Sequence, residues 1–119
     1  MKLTKRKALL LCYKMWDWLS NHPTKDKAEW PGWECNGGDI QKVENHCFAC
    51  EYDTQNYKKL NQPCKITCIM RSLWPEGCTY EDSPFHKWDN PSSRKEWIRN
   101  ARIIANHAYK LYRREMMKG

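Results

Sequence analysis

The sequence predicts a mainly α protein in which two longer terminal helices pack on an irregular central zinc-binding module. Three observations carry this expectation. Apolar residues recur at three- and four-residue spacing towards both ends of the chain. Cysteines, prolines and glycines crowd the middle, where a small β-hairpin beside the metal is the one strand element expected. The 119 residues are 40% hydrophobic with few Val, Ile and Phe, so a core of this size calls for a supplementary staple.

The length gives a single domain over residues 1–119, with no room for a second. Charge divides it into three parts. Residues 1–29, a basic N-terminal helix and loop, carry seven Lys/Arg against three Asp/Glu. Residues 30–91 carry six against nine and form an acidic zinc module, and residues 92–119 carry eight against two and form a basic C-terminal helix.

The first helix is expected over residues 3–20, with Ala8, Cys12, Met15, Trp16 and Leu19 on one face and Asn21, His22 and Pro23 stopping it. Lys5, Arg6 and Lys7 in its first turn oppose the helix dipole, so tertiary packing has to hold this helix. Residues 24–38 read as a loop pinned by Trp30 and Trp33. Short helices are expected over 40–46, capped by Asp39, over 54–60, and from Pro63 onward, where Cys64 and Cys68 fall one turn apart. Trp74-Pro75-Glu76-Gly77-Cys78 is turn chemistry. The last helix is capped by Ser92 or Ser93, with Glu96 as the capping-box partner, and runs to about Met116. Trp97, Ala101, Ile104, Ala108 and Leu111 make its buried stripe, and Lys95, Arg99, Arg102, Asn106, Lys110 and Arg113 its solvent face.

The main chemical signal is His46-Cys47-Phe48-Ala49-Cys50, then Cys64-Lys65-Ile66-Thr67-Cys68, then Gly77-Cys78. Two residues between thiolates let both reach one tetrahedral zinc ion, and an i, i+4 pair on a helical turn does the same. The expected ligands are Cys47, Cys50, Cys64 and Cys68, with Cys78 as a replacement for one of the second pair and His46 as a ligand or its neighbour. Four protein ligands close the coordination sphere, so the Zn2+ is structural. Buried free thiols are the competing reading. A redox CxxC would follow a strand in a βαβ unit, a pattern this sequence lacks.

The order of these motifs, followed by Lys87-Trp88 and a C-terminal helix, resembles short cysteine-cluster proteins of tailed bacteriophages over about residues 30–110. The sequence departs from that pattern in the three residues between Cys64 and Cys68 and in having no Pro after Cys68. The resemblance implies a phage-encoded accessory protein acting in the bacterial cytoplasm and carries no activity with it. The short apolar run at residues 8–13, ending at Lys14, does not make an export signal, and no stretch approaches a membrane span. A reducing cytoplasm and metal-bound thiols are therefore expected.

Enzyme motifs are missing. There is no His-x-Glu for a zinc deaminase, no HExxH, no Gly-rich phosphate loop and no GxSxG. His86 with Asp89 and Asn90 suggests a nuclease-like group, but a surface turn accounts for it. No small-molecule substrate is identified. Two readings follow: a binding effector that docks on and inhibits a host protein or defence complex, and a DNA/RNA-binding protein using Lys95, Arg99, Arg102, Lys110 and Arg113, aided by Lys2, Lys5, Arg6 and Lys7. The acidic centre weighs against a duplex laid across the whole molecule.

Overall fold

The computed structural model describes residues 4–23, 25, 27–32, 48, 70, 72–73 and 81–118. The expected helices at 40–46, 54–60 and from Pro63, the hairpin, Trp33 and the cysteine cluster lie outside the described residues. Among the described residues there are helices and no strand: α1 (Lys5–Asn21), a 3-10 turn (Lys27–Glu29), α2 (Pro84–Asp89) and α3 (Arg94–Met117). No helix of the described residues is long and apolar enough to cross a membrane.

All three α-helices of the described residues begin at a hydroxyl cap. The Thr4 side chain accepts from the Lys7 amide, Ser83 from His86 and Ser93 from Glu96, each at 3.1 Å. Each bond satisfies one of the amides that a helix start leaves without an intrahelical partner. Of the two serines offered as the α3 cap, Ser93 takes the role, while the Glu96 carboxylate reaches forward to Arg99 at 3.4 Å. α2 stands where a surface turn is expected for His86, Asp89 and Asn90. Its start is nonetheless written in Ser83-Pro84: a capping serine, then a proline whose missing N–H costs nothing in the first turn. The Asn90 backbone and side-chain amides both return to the His86 carbonyl and end it, at 2.9 and 3.1 Å.

α1 and α3 are antiparallel, because their contacts run in opposite order along the two helices. Lys5 pairs with Glu115 at 3.1 Å, the Tyr13 ring lies 4.8 Å from Tyr109, and Asp17 takes Arg102 at 2.6 Å. This arrangement answers the cationic first turn of α1. The positive end of α1 meets the carbonyl end of α3, and Arg6 donates to the Glu115 backbone carbonyl at 3.1 Å.

The core sits where α1 faces the rest of the protein. Ala8, Cys12, Met15, Trp16 and Leu19 are all buried, as the spacing predicted, and Leu9 and Leu11 join them. From α3 come Ala101, Ala105 and Ala108, whose small side chains permit the close approach of the two helices, and the larger Ile104. Trp97 and Leu111 of the expected stripe pack at its margin. α2 contributes Trp88, which meets Trp16 edge-on at 4.8 Å, with Phe85 6.2 Å from the same ring. Trp30 is buried and abuts Phe48 at 5.7 Å, which fits the expectation that it pins its loop.

Candidate functional site

On α3 the exposed residues are Arg94, Lys95, Arg99, Asn106, Tyr109, Lys110, Arg113, Arg114, Met116 and Met117. The exposed charged residues along this helix are all cations, while the Glu96 side chain keeps 39% exposure in its pair with Arg99. The two carboxylates of α3 are both paired: Glu96 with Arg99, and Glu115 with Lys5 and Lys118, both at 3.1 Å. Hydrogen bonds from Lys118 and Lys5 hold the Glu115 carboxyl below its ordinary pKa. From Lys95 to Arg113 the face extends for about 27 Å at 1.5 Å per residue.

The five cations singled out on α3 do not stand alike. Lys95, Lys110 and Arg113 are exposed, and Arg113 lies over the Tyr109 ring at 5.9 Å. Arg99 is exposed and shares its charge with Glu96. Arg102 is half-buried and turns to α1, donating to the Asp17 carboxylate and the Ser20 hydroxyl. It lies at the margin of the basic arc nearest α1, so its guanidinium joins the two helices. Of the N-terminal cations, Lys5 and Arg6 are committed to the Glu115 end of α3, Lys7 is exposed, and Lys2 lies outside the described residues.

A second feature lies beside this face. An open groove of about 560 Å3 runs along the exposed strip of α1. Lys7, Lys14, Asp17 and Trp18 line it from the helix, and Trp30 and Gly32 form the opposite wall. The Trp18 ring is stacked on His22 at 4.4 Å and 18°, and His22 Nδ1 is 2.8 Å from the Trp18 carbonyl oxygen. Gly32 is required here, since a Cβ at this position would collide with the Trp30 ring. Asp17 belongs to both features: it borders the groove and holds Arg102. The sequence reading passed over this strip. The signal for it is the seven-residue step Lys7, Lys14, Asn21, which keeps polar residues on one line of the helix.

His107 is on the other side of α3, where its Nε2 is 2.7 Å from the Ser72 hydroxyl. Burial, followed by the nearby charges of Lys110 and Arg114, lowers its pKa below 6.5. His22 borders the groove. His86 sits within α2 with its carbonyl taken by Asn90, so His86 and Asn90 serve to end the helix.

The expected zinc ligands Cys47, Cys50, Cys64, Cys68 and Cys78, with His46, lie outside the described residues. Cys12 is buried in the core at 1% exposure. Comparison with known proteins finds no family model, curated protein or solved structure that the chain matches.

Proposed function

We propose that this chain is a small zinc-stabilised binding protein that engages nucleic acid through the basic face of α3. The observation that carries this reading is the charge segregation on that helix: six exposed cations, Arg94, Lys95, Arg99, Lys110, Arg113 and Arg114, stand against two carboxylates that are both paired. Such a face tracks phosphates and gains affinity by releasing their counterions. The structural Zn2+, held by four of Cys47, Cys50, Cys64, Cys68 and Cys78 in a reducing cytoplasm, would fix the central segment between the helices. Its support is the ligand spacing and the thiolate donor set, which suit a closed tetrahedral site.

The test is zinc content per chain together with a salt-dependent gel shift. The expected result is one zinc and binding that weakens steeply between low and physiological salt. Replacing Lys110 and Arg113 together by Gln should reduce the salt slope by about 2, one for each phosphate contact removed. Absence of any shift at low salt would remove the nucleic-acid reading, and a zinc-free chain would remove the metal.

A second reading has its own observation. Tyr109, Met116 and Met117 are exposed at 42%, 48% and 83% beside Arg113 and Arg114, a mixture of aromatic, Met and Arg typical of protein interfaces. It supports a phage-type accessory protein that docks on a host protein or defence complex and inhibits it. A partner that survives nuclease treatment and is lost with Met117→Asp would favour this reading.

A further inference from the structure

We infer that the groove along α1 is a seat for single-stranded nucleic acid, taking an unstacked base against Trp18 and adjacent phosphates on Lys7 and Lys14. This inference rests on the nucleic-acid reading of α3 and specifies which form of nucleic acid the protein selects.

Charge comes first. Lys7 and Lys14 are both exposed, lie two turns apart on α1, and so stand about 10 Å from one another along the helix axis. The carboxylate that borders the groove, Asp17, is held by Arg102, so the two lysines set the sign of the groove among the described residues. Shape comes second. A concavity of about 560 Å3 is in the range of sites that enclose a small-molecule-sized group. A duplex keeps its bases stacked and offers a concave surface only phosphate and sugar, whereas a single strand can place a base inside it. Chemistry comes third. Trp18 is partly buried with His22 stacked on its ring, and both side chains line the groove, so the base would meet a stacked Trp18–His22 pair in which His22 is exposed. Aromatic walls combined with a positive groove are the common means of holding single strands without sequence preference.

Position joins the groove to α3. Asp17 and Arg102 form the seam between them, and Tyr13 against Tyr109 continues it along the helix pair. A strand leaving the groove across this seam meets Arg113 and Lys110 on the basic arc of α3. The groove thus supplies base stacking and α3 supplies phosphate contacts, on adjoining sides of one helix pair.

The experiment is fluorescence anisotropy of the full-length, zinc-loaded chain with labelled oligothymidylate and with a labelled duplex of equal phosphate count, with polyglutamate as competitor. The expected result is tighter binding of the single strand, a roughly tenfold to hundredfold loss of that affinity in Trp18→Leu, retention in Trp18→Phe, and an unchanged duplex affinity in both. Because Trp18 also packs against the core, the exposed pair Lys7→Gln/Lys14→Gln provides a test free of folding effects, and it should weaken the single strand more than the duplex. If Lys110→Gln/Arg113→Gln abolishes binding while the Trp18 and Lys7/Lys14 variants bind both forms like the parent, the groove is overturned and the α3 reading stands. If neither nucleic acid binds at low salt, both fail. Displacement of the single strand by polyglutamate at equal charge concentration would show a cation surface without a base seat and would also overturn the groove.

Discussion

α1 and α3 lie side by side, yet they are built for different work. α1 buries eight of its 17 residues, whereas α3 buries five of its 24. Nearly half of α1 is therefore core, and its sequence is constrained along that whole face. α3 meets the protein along one stripe, chiefly Ala101, Ile104, Ala105 and Ala108, and leaves a long arc to solvent. Both helices are rich in cations, but the cationic first turn of α1 is largely answered by α3, while the cations of α3 face outward. Charge that closes the fold and charge that remains available for a partner are thus separated onto two helices. Arg102, which spends its charge on α1, marks the boundary between them.

The comparison breaks most decisively at Trp16. Its ring is 2% exposed and is flanked edge-on by Trp88 and Phe85, so it joins α1 to α2 within the shared core. Trp16→Ala should cost about 3–5 kcal/mol through lost burial and the cavity left behind. Lys110→Ala, on the open arc of α3, should stay within about 0.5 kcal/mol of the parent. Urea unfolding of the two variants measures this difference. Similar losses in both would mean that α3's outer face is structural after all.

That contrast was partly legible in the sequence. Period and caps revealed both long helices: Ala8, Cys12, Met15, Trp16 and Leu19 fall at the buried spacing, and Ser93 with Glu96 announces the start of α3. Composition could not show which cations would be spent inside the protein. Arg102 continues the same i, i+3, i+4 pattern as Arg99 and Lys110, and its fate depends on Asp17 and Ser20, 85 and 82 residues earlier. Asn100 was likewise invisible as a buried residue, because its amide is satisfied by the Glu96 carbonyl at 2.8 Å, a bond made only once the helix exists. α2 was overlooked because six residues are too few for a period to emerge, although its cap could have been read. The groove escaped because one wall, Trp30 and Gly32, belongs to a different segment from the helix that forms its floor.

The Arg102 bridge sharpens the comparison at intermediate scale. Its partners' side chains are 37% and 40% exposed, so solvent moderates the pair and a coupling near 1 kcal/mol is expected. A double-mutant cycle with Asp17→Asn and Arg102→Met isolates that value. The same Arg102→Met variant should leave the salt slope of nucleic-acid binding unchanged, whereas Lys110→Gln should lower it by about 1. A slope that falls equally with Arg102→Met would place Arg102 on the binding face rather than at the joint.

The smallest effects are those of pH, and they separate the middle of α3 from its C-terminal end. His107 has a lowered pKa because burial and the charges of Lys110 and Arg114 disfavour its imidazolium. The folded state therefore takes up this proton less readily than the unfolded chain, so the stability His107 supports is complete above 6.5 and declines as pH falls through that value towards the lower folded pKa. Glu115 is lowered by its hydrogen bonds from Lys118 and Lys5. Its contribution is complete above 4.5 and is lost as pH falls through that value to the lower folded pKa. Both groups weaken the protein in acid, but in succession, His107 first and Glu115 later. Urea midpoints measured from pH 8 to pH 3 should show a shallow first decline that is absent from His107→Gln. A second decline should be reduced in Glu115→Gln, which keeps the His107 step. Because each variant is compared with the parent at the same pH, protonation of the cysteines cancels between them. If Glu115→Gln instead removed the upper step, the ends of the two helices would not be joined through the Lys5–Glu115 pair, and the antiparallel dipole contact that answers α1's cationic first turn would lose its anchor.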